Sequence, residues 1–102
     1  MNSKNNRVDF IGFKPDASQM WLVQAAITKL LDKAPIRSTL RAVVCSEAEG
    51  FSFKIKISSF DHHFETYCTS IDLFGLLNKV DEKMSAQFND WKKSRFSHEI
   101  SG

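Results

Sequence analysis

The sequence predicts an α+β domain in the order β-α-β-β-β-α, with two helices packed on one face of a four-stranded mixed sheet. Three observations carry that expectation. FSFKIKISSF alternates strictly, placing Phe51, Phe53, Ile55 and Ile57 on one face and Ser52, Lys54, Lys56 and Ser58 on the other, which is the period of a half-buried strand. Two longer segments instead repeat their apolar residues every three or four positions, so each is a helix with one buried stripe. If the first two strands lie side by side, the helix between them makes a right-handed crossover, and the later strands add to the sheet antiparallel.

Taken in order, residues 1–6 are short, polar and without pattern, and are expected to be disordered. RVDFIGF, residues 7–13, is aromatic and β-branched and stops at Lys14-Pro15, the mark of a short first strand. Asp16 with Gln19 three residues on has the spacing of a capping box. The helix it opens, MWLVQAAITKLLDKA, sets Met20, Val23, Ile27, Leu30, Leu31 and Ala34 on one side. Pro35 ends it, because proline cannot donate the next helical hydrogen bond and disfavours helix at the residue before it.

From Ser38 the period changes to two. STLRAVVCSE runs to the turn EAEG, FSFKIKISSF follows, Asp61-His62 turns the chain again, and HFETYCTS is the last strand. Three strands in succession read as an antiparallel meander. Thr69 and Asp72 then offer caps for a final helix whose apolar stripe runs through Leu73, Leu77, Val80, Met84, Phe88 and Trp91. The single domain is expected to occupy residues 7–96, and the polar residues 97–102 to form a flexible tail.

With 102 residues, 42% of them hydrophobic and nine of them Phe, the chain can bury one core without a metal or a disulfide. No apolar run approaches the roughly eighteen residues of a membrane span, and the segment MNSKNNR is no signal peptide. The expected location is the cytoplasm. Cys45 and Cys68 belong to no CxxC or CxxH spacing and are expected to be buried and reduced.

Little here suggests catalysis. His62 and His63 are adjacent, and neighbours on a strand point to opposite faces, so exposed turn histidines explain them better than a metal site does. Neither cysteine has an activating base in its sequence context, and the four glycines make no phosphate loop. No enzyme activity, cofactor, metal or small-molecule substrate is expected. A binding surface remains.

The basic residues are its candidates. At 100° per residue Lys79, Lys83, Ala86, Asp90 and Lys93 share a stripe of the last helix away from its apolar side, and Lys92 and Arg95 extend the charge. On the first helix Lys29 and Lys33 are four apart, with Arg37 beyond the proline. If the helices lie side by side, these cations flank one outer surface, and like charges four apart cost a few tenths of a kcal/mol unless an anion compensates. The net charge of +2, from 14 basic and 12 acidic residues, names no partner by itself. A solvated face of mixed charge explains the same residues, with Asp32, Asp81 and Glu82 softening the field. Lys54 and Lys56 are open to the same two readings, and Glu65 on the next strand is a pairing candidate.

The last helix carries Asp72-Leu73-Phe74-Gly75, Leu76-Leu77-Asn78, Glu82-Lys83-Met84 and Gln87-Phe88. With the element order, these letters resemble the ribosome hibernation-promoting factor family, also called the ribosome-associated inhibitor or sigma-modulation family, in its short single-domain form. By letters the resemblance covers residues 64–96; by element order, nearly the whole chain. It implies a non-enzymatic regulator that binds the small ribosomal subunit in the channel of messenger and transfer RNA, inhibiting translation or storing idle ribosomes. Its helices would meet ribosomal RNA phosphates, here through Lys29, Lys33, Arg37, Lys79, Lys83, Lys92, Lys93 and Arg95. Lys83 matches a basic position of the motif. Ala86 and Asp90 depart from it, standing where family members carry Arg or Lys. Longer members add a C-terminal dimerisation domain, before which this chain ends. A second reading keeps the scaffold and changes the partner: Trp21, Trp91 or Phe96 would form an apolar protein contact, with a homodimer as one form of it.

Overall fold

The computed structural model describes the backbone of residues 6–60 and 62–101 and the side chains of that range up to Ser94. The expectation for residues 1–5, Asp61 in the turn, and the side chains of Arg95 and Phe96 lie outside the described residues. The element order is β1 (Asn6–Ile11), α1 (Ala17–Lys33), β2 (Thr39–Glu47), β3 (Gly50–Ser58), β4 (His63–Ser70) and α2 (Leu73–Ser101).

Local chemistry accounts for the boundaries. β1 stops at Ile11, two residues before the expected end, because Gly12 takes φ +85° and turns Phe13 back onto the core, where its ring meets Phe10 and Phe51 edge-on. Asp16 closes both halves of the capping box: Gln19 N–H donates to its carboxylate at 2.8 Å, and its own N–H donates to Gln19 Oε1 at 2.9 Å. At the other end Ala34 turns extended, and its N–H still reaches the carbonyls of Leu30 and Leu31. Asp72 alone caps α2, accepting from Gly75 N–H at 2.7 Å; Thr69 stays in β4. The backbone remains helical past Phe96 to Ser101.

The strands are ordered β1-β2-β3-β4, with β1 parallel to β2 and the other pairs antiparallel. The register aligns Val8, Ala42, Ile55 and Thr66 across all four strands, and Phe10, Val44, Phe53 and Cys68 likewise. These rows point to the helix side, where Val23, Ile27 and Leu30 of α1 and Leu76, Val80, Met84 and Phe88 of α2 complete the core. One sheet face is therefore covered and the other open. Phe64 packs edge-on against Phe88 with centroids 4.9 Å apart and against Trp91 at 6.3 Å, closing the core at one end.

The two helices are parallel. Lys29 and Lys33 meet Asp81, and Lys33 also meets Ser85, so both chains advance together along the seam. Since Lys33 ends α1 at the level of Ser85, α2 outruns it by several turns, and after Trp91 it leaves the core behind.

Candidate nucleic-acid interface

The predicted cations do not share one outer surface. Asp81 and Ser85 face α1, and Lys79 and Lys83 each lie two residues before one of them. Two residues are 200° of helix, so the two pairs stand about 160° apart around α2.

In the seam, Lys33 Nζ donates to Asp81 Oδ1 at 3.3 Å and to Ser85 Oγ at 3.0 Å, while Lys29 Nζ lies 3.9 Å from Asp81 Oδ2. One carboxylate thus answers two lysines. The repulsion expected between Lys29 and Lys33 is relieved inside the fold, without an outside anion.

On the opposite flank α2 lies along β4, the edge strand. Lys79 Nζ donates to the Thr69 carbonyl at 2.8 Å, and Gln87 Nε2 donates to the Glu65 carbonyl at 2.7 Å. Both bonds fill carbonyls that an edge strand otherwise leaves for a foreign strand. Lys79 therefore has a structural task. Lys83, between them on the same stripe, is exposed and has no ion-pair partner among the described residues. Burial pushes the Cys68 thiol upward, and the charges of Lys83 and Lys79 oppose that in part.

Lys92 and Lys93 are exposed where α2 passes the end of the core, and Ala86 and Asp90, also exposed, separate them from Lys83. Arg37 is exposed in the α1–β2 connection with φ +63°, a left-handed backbone that few residues other than glycine adopt. The fold thus brings together Lys29 with Lys33, and Lys79 with Lys83. It leaves Arg37 and the Lys92–Lys93 pair at separate places.

Two other expectations are corrected. His62 is half-buried, its ring 6.3 Å from Phe64 and 5.7 Å from Trp91, so it belongs to the aromatic end of the core and not to an exposed turn. Its neighbour His63 is exposed and its Nδ1 lies 3.1 Å from Ser58 Oγ. Trp91 packs against the core as well, which removes it from the apolar contact patch. Trp21, by contrast, is 69% exposed and Phe74 63% exposed, both near the helix N-termini. Among the described residues, no three His, Cys, Asp or Glu side chains cluster as a metal site, and no helix is long and apolar enough to cross a membrane. Both cysteines are free; Cys68 is buried and Cys45 half-buried.

Sequence reasoning missed Ser85 and Gln87 as partners and gave Asp81 only a general softening of the field; on the open sheet face it named Lys54 and Lys56 but missed Arg41. Arg41 has the same period-two placement as Lys54 and Lys56, a signal present in TLRAVV but silent until the register is known.

Parallel helices over one face of a four-stranded mixed sheet define a fold shared with solved structures. A ribosomal subunit interface protein from Coxiella burnetii superposes with a TM-score of 0.71 at 12% identity, over 86% of this chain and 97% of that one. The N-terminal domain of Protein Y from Thermus thermophilus does so with a TM-score of 0.70 at 9% identity, over 83% of this chain and 94% of that one. At such identity the likeness is one of fold. No family model and no curated protein matches the sequence.

Proposed function

We propose that this protein is a non-enzymatic, ribosome-associated factor that binds the small subunit through ribosomal RNA phosphates and modulates translation or ribosome storage. The observation that carries this reading is the near-complete coverage of a ribosomal subunit interface protein by the same fold. The exposed cations of α2 add to it. Lys83, Lys92 and Lys93 are the primary phosphate contacts; Arg37, at a separate place in the α1–β2 connection, and Arg95 are further ones. Lys29 and Lys33 contribute only the charge that Asp81 leaves over. Lys79 serves the fold first.

Phosphate contacts are lost steeply as salt rises. Purified protein is expected to cosediment with small subunits at low salt and to leave them between about 50 and 200 mM salt. The Lys83→Gln/Lys93→Gln variant is expected to leave at lower salt. Absence from small-subunit fractions at the lowest salt would sink the proposal.

A second reading has its own observation. Leu22, Ala25, Ala26, Phe74 and Leu77 line a groove of about 170 Å³ between the helix N-terminal halves, with exposed Trp21 nearby. On that reading the chain is a protein-interaction module, and a homodimer is one form of it. Light scattering separates the two: an oligomer indifferent to salt and lost in Trp21→Ala supports the module.

A further inference from the structure

We propose that the open face of the sheet is a second RNA-binding surface, one that takes a single-stranded segment with its phosphates on Arg41, Lys54 and Lys56 and a base stacked on Tyr67. The proposal deepens the reading above, because it names a further RNA contact of the same protein, and it involves none of the helix lysines.

The register builds the surface. Across one row stand Arg7, Arg41, Lys56 and Glu65, and across the next Asp9, Val43, Lys54 and Tyr67. Adjacent strands lie about 4.8 Å apart, and residues two apart on a strand about 7 Å. Arg41 and Lys56 are thus direct neighbours, and Lys54 is next to both. Arg41, Lys54, Lys56 and Tyr67 are all exposed, the last by 58%.

The two layers treat their cations differently. Lys29, Lys33 and Lys79 each meet an acceptor within the fold. On the open face Asp9 holds Arg7 at 3.2 Å, but among the described residues no carboxylate is at ion-pair distance from Arg41, Lys54 or Lys56. Glu65 stands opposite Lys56 in register without pairing, so the lysine head is free to extend outward. Like charges directly opposite one another weaken a sheet, and among the described residues no ion pair relieves Arg41 and Lys56. A polyanion would.

Tyr67 selects the kind of polyanion. Its exposed ring stands directly across from Lys54, and a sequence-tolerant stacking platform beside a basic groove is how single strands are held. A duplex offers no free base face to it, and an acidic peptide gains nothing from the ring.

The test is anisotropy titration of a labelled oligouridine decamer into the intact protein at several salt concentrations. The Arg41→Gln/Lys54→Gln/Lys56→Gln variant changes only exposed side chains; it is expected to bind at least tenfold more weakly, with a salt slope flatter by about 2, from some 0.7 per lost phosphate contact. Tyr67→Ala is expected to weaken binding about tenfold and Tyr67→Phe to leave it near the starting value. Small-subunit cosedimentation of the triple variant at low salt keeps the two surfaces apart. If cosedimentation holds while decamer binding falls, both readings stand. No decamer binding at low salt overturns the sheet-face proposal. So does binding that Lys83→Gln/Lys93→Gln abolishes and the triple variant leaves intact, or binding that polyglutamate displaces as readily as RNA does.

Discussion

Gly50 shows how much one residue decides. It opens β3 at φ +140°, a backbone that side-chain-bearing residues rarely adopt, and a Cβ there would lie on the Ser70 carbonyl oxygen and against Ile71 Cα. The hairpin and the end of β4 can approach each other only because that carbon is missing. Gly50→Ala is expected to cost about 2–3 kcal/mol or more, from strain and overlap together, and urea unfolding measures it. Cys68 makes a second residue-scale case. Its thiol is held above the ordinary cysteine range by burial, so the folded protein keeps a proton that the unfolded chain releases near pH 8.5. The sign follows: this contribution is full below about pH 8.5 and is lost as pH rises from there through the higher folded value. Unfolding curves taken between pH 8 and 11 are expected to show stability falling, less so in Cys68→Ala. Thiol reagents at neutral pH are expected to label Cys45 ahead of Cys68.

Among the elements, α2 does three jobs at once, and its faces divide them. Leu76, Val80, Met84 and Phe88 bury one side; Asp81 and Ser85 hold α1; Lys79 and Gln87 cover the β4 edge. Leu76 apart, the apolar side was legible in the sequence, since its spacing is local and depends on nothing but helical geometry. The capping box at Asp16 was legible for the same reason, all its atoms lying within four residues. The caps of α2 were half legible: Thr69 and Asp72 both have cap chemistry, and only the extent of β4 decides between them. The clamp on β4 was hidden, because Lys79 and Thr69 are near in sequence but belong to different elements. Lys79→Met/Gln87→Met retains length and removes both donors. The expected result is a stability loss of about 1–3 kcal/mol from two carbonyls left without protein donors, and faster aggregation on gentle heating, read by light scattering.

At the scale of the whole molecule, the layer arrangement distributes charge that the linear sequence only counts. A net charge of +2 conceals a seam where Asp81 is shared by two lysines, a flank where one lysine is bound to backbone, and an open face where, among the described residues, three cations have no ion-pair partner. Asp81→Asn tests that division. It raises the net charge from +2 to +3, removes exposed or half-exposed pairs worth at most about 1 kcal/mol, and frees Lys29 and Lys33. Small-subunit affinity is expected to rise several-fold and the salt slope to steepen, as measured by cosedimentation over a salt series.

By itself the sequence determined the element order, the α1 cap and most core residues of each element, because hydrophobic period and capping are short-range properties of the chain; fully buried Leu76 and 39% exposed Met20 are departures that packing decided. It also supplied every cation discussed. Tertiary structure alone decided which of those cations are available, because an acceptor such as Asp81 lies 48 residues from Lys33 and no local pattern relates them. Register made the same decision for Arg41, Lys54 and Lys56. Their alternation is local, but adjacency across strands exists only once β1, β2, β3 and β4 are paired.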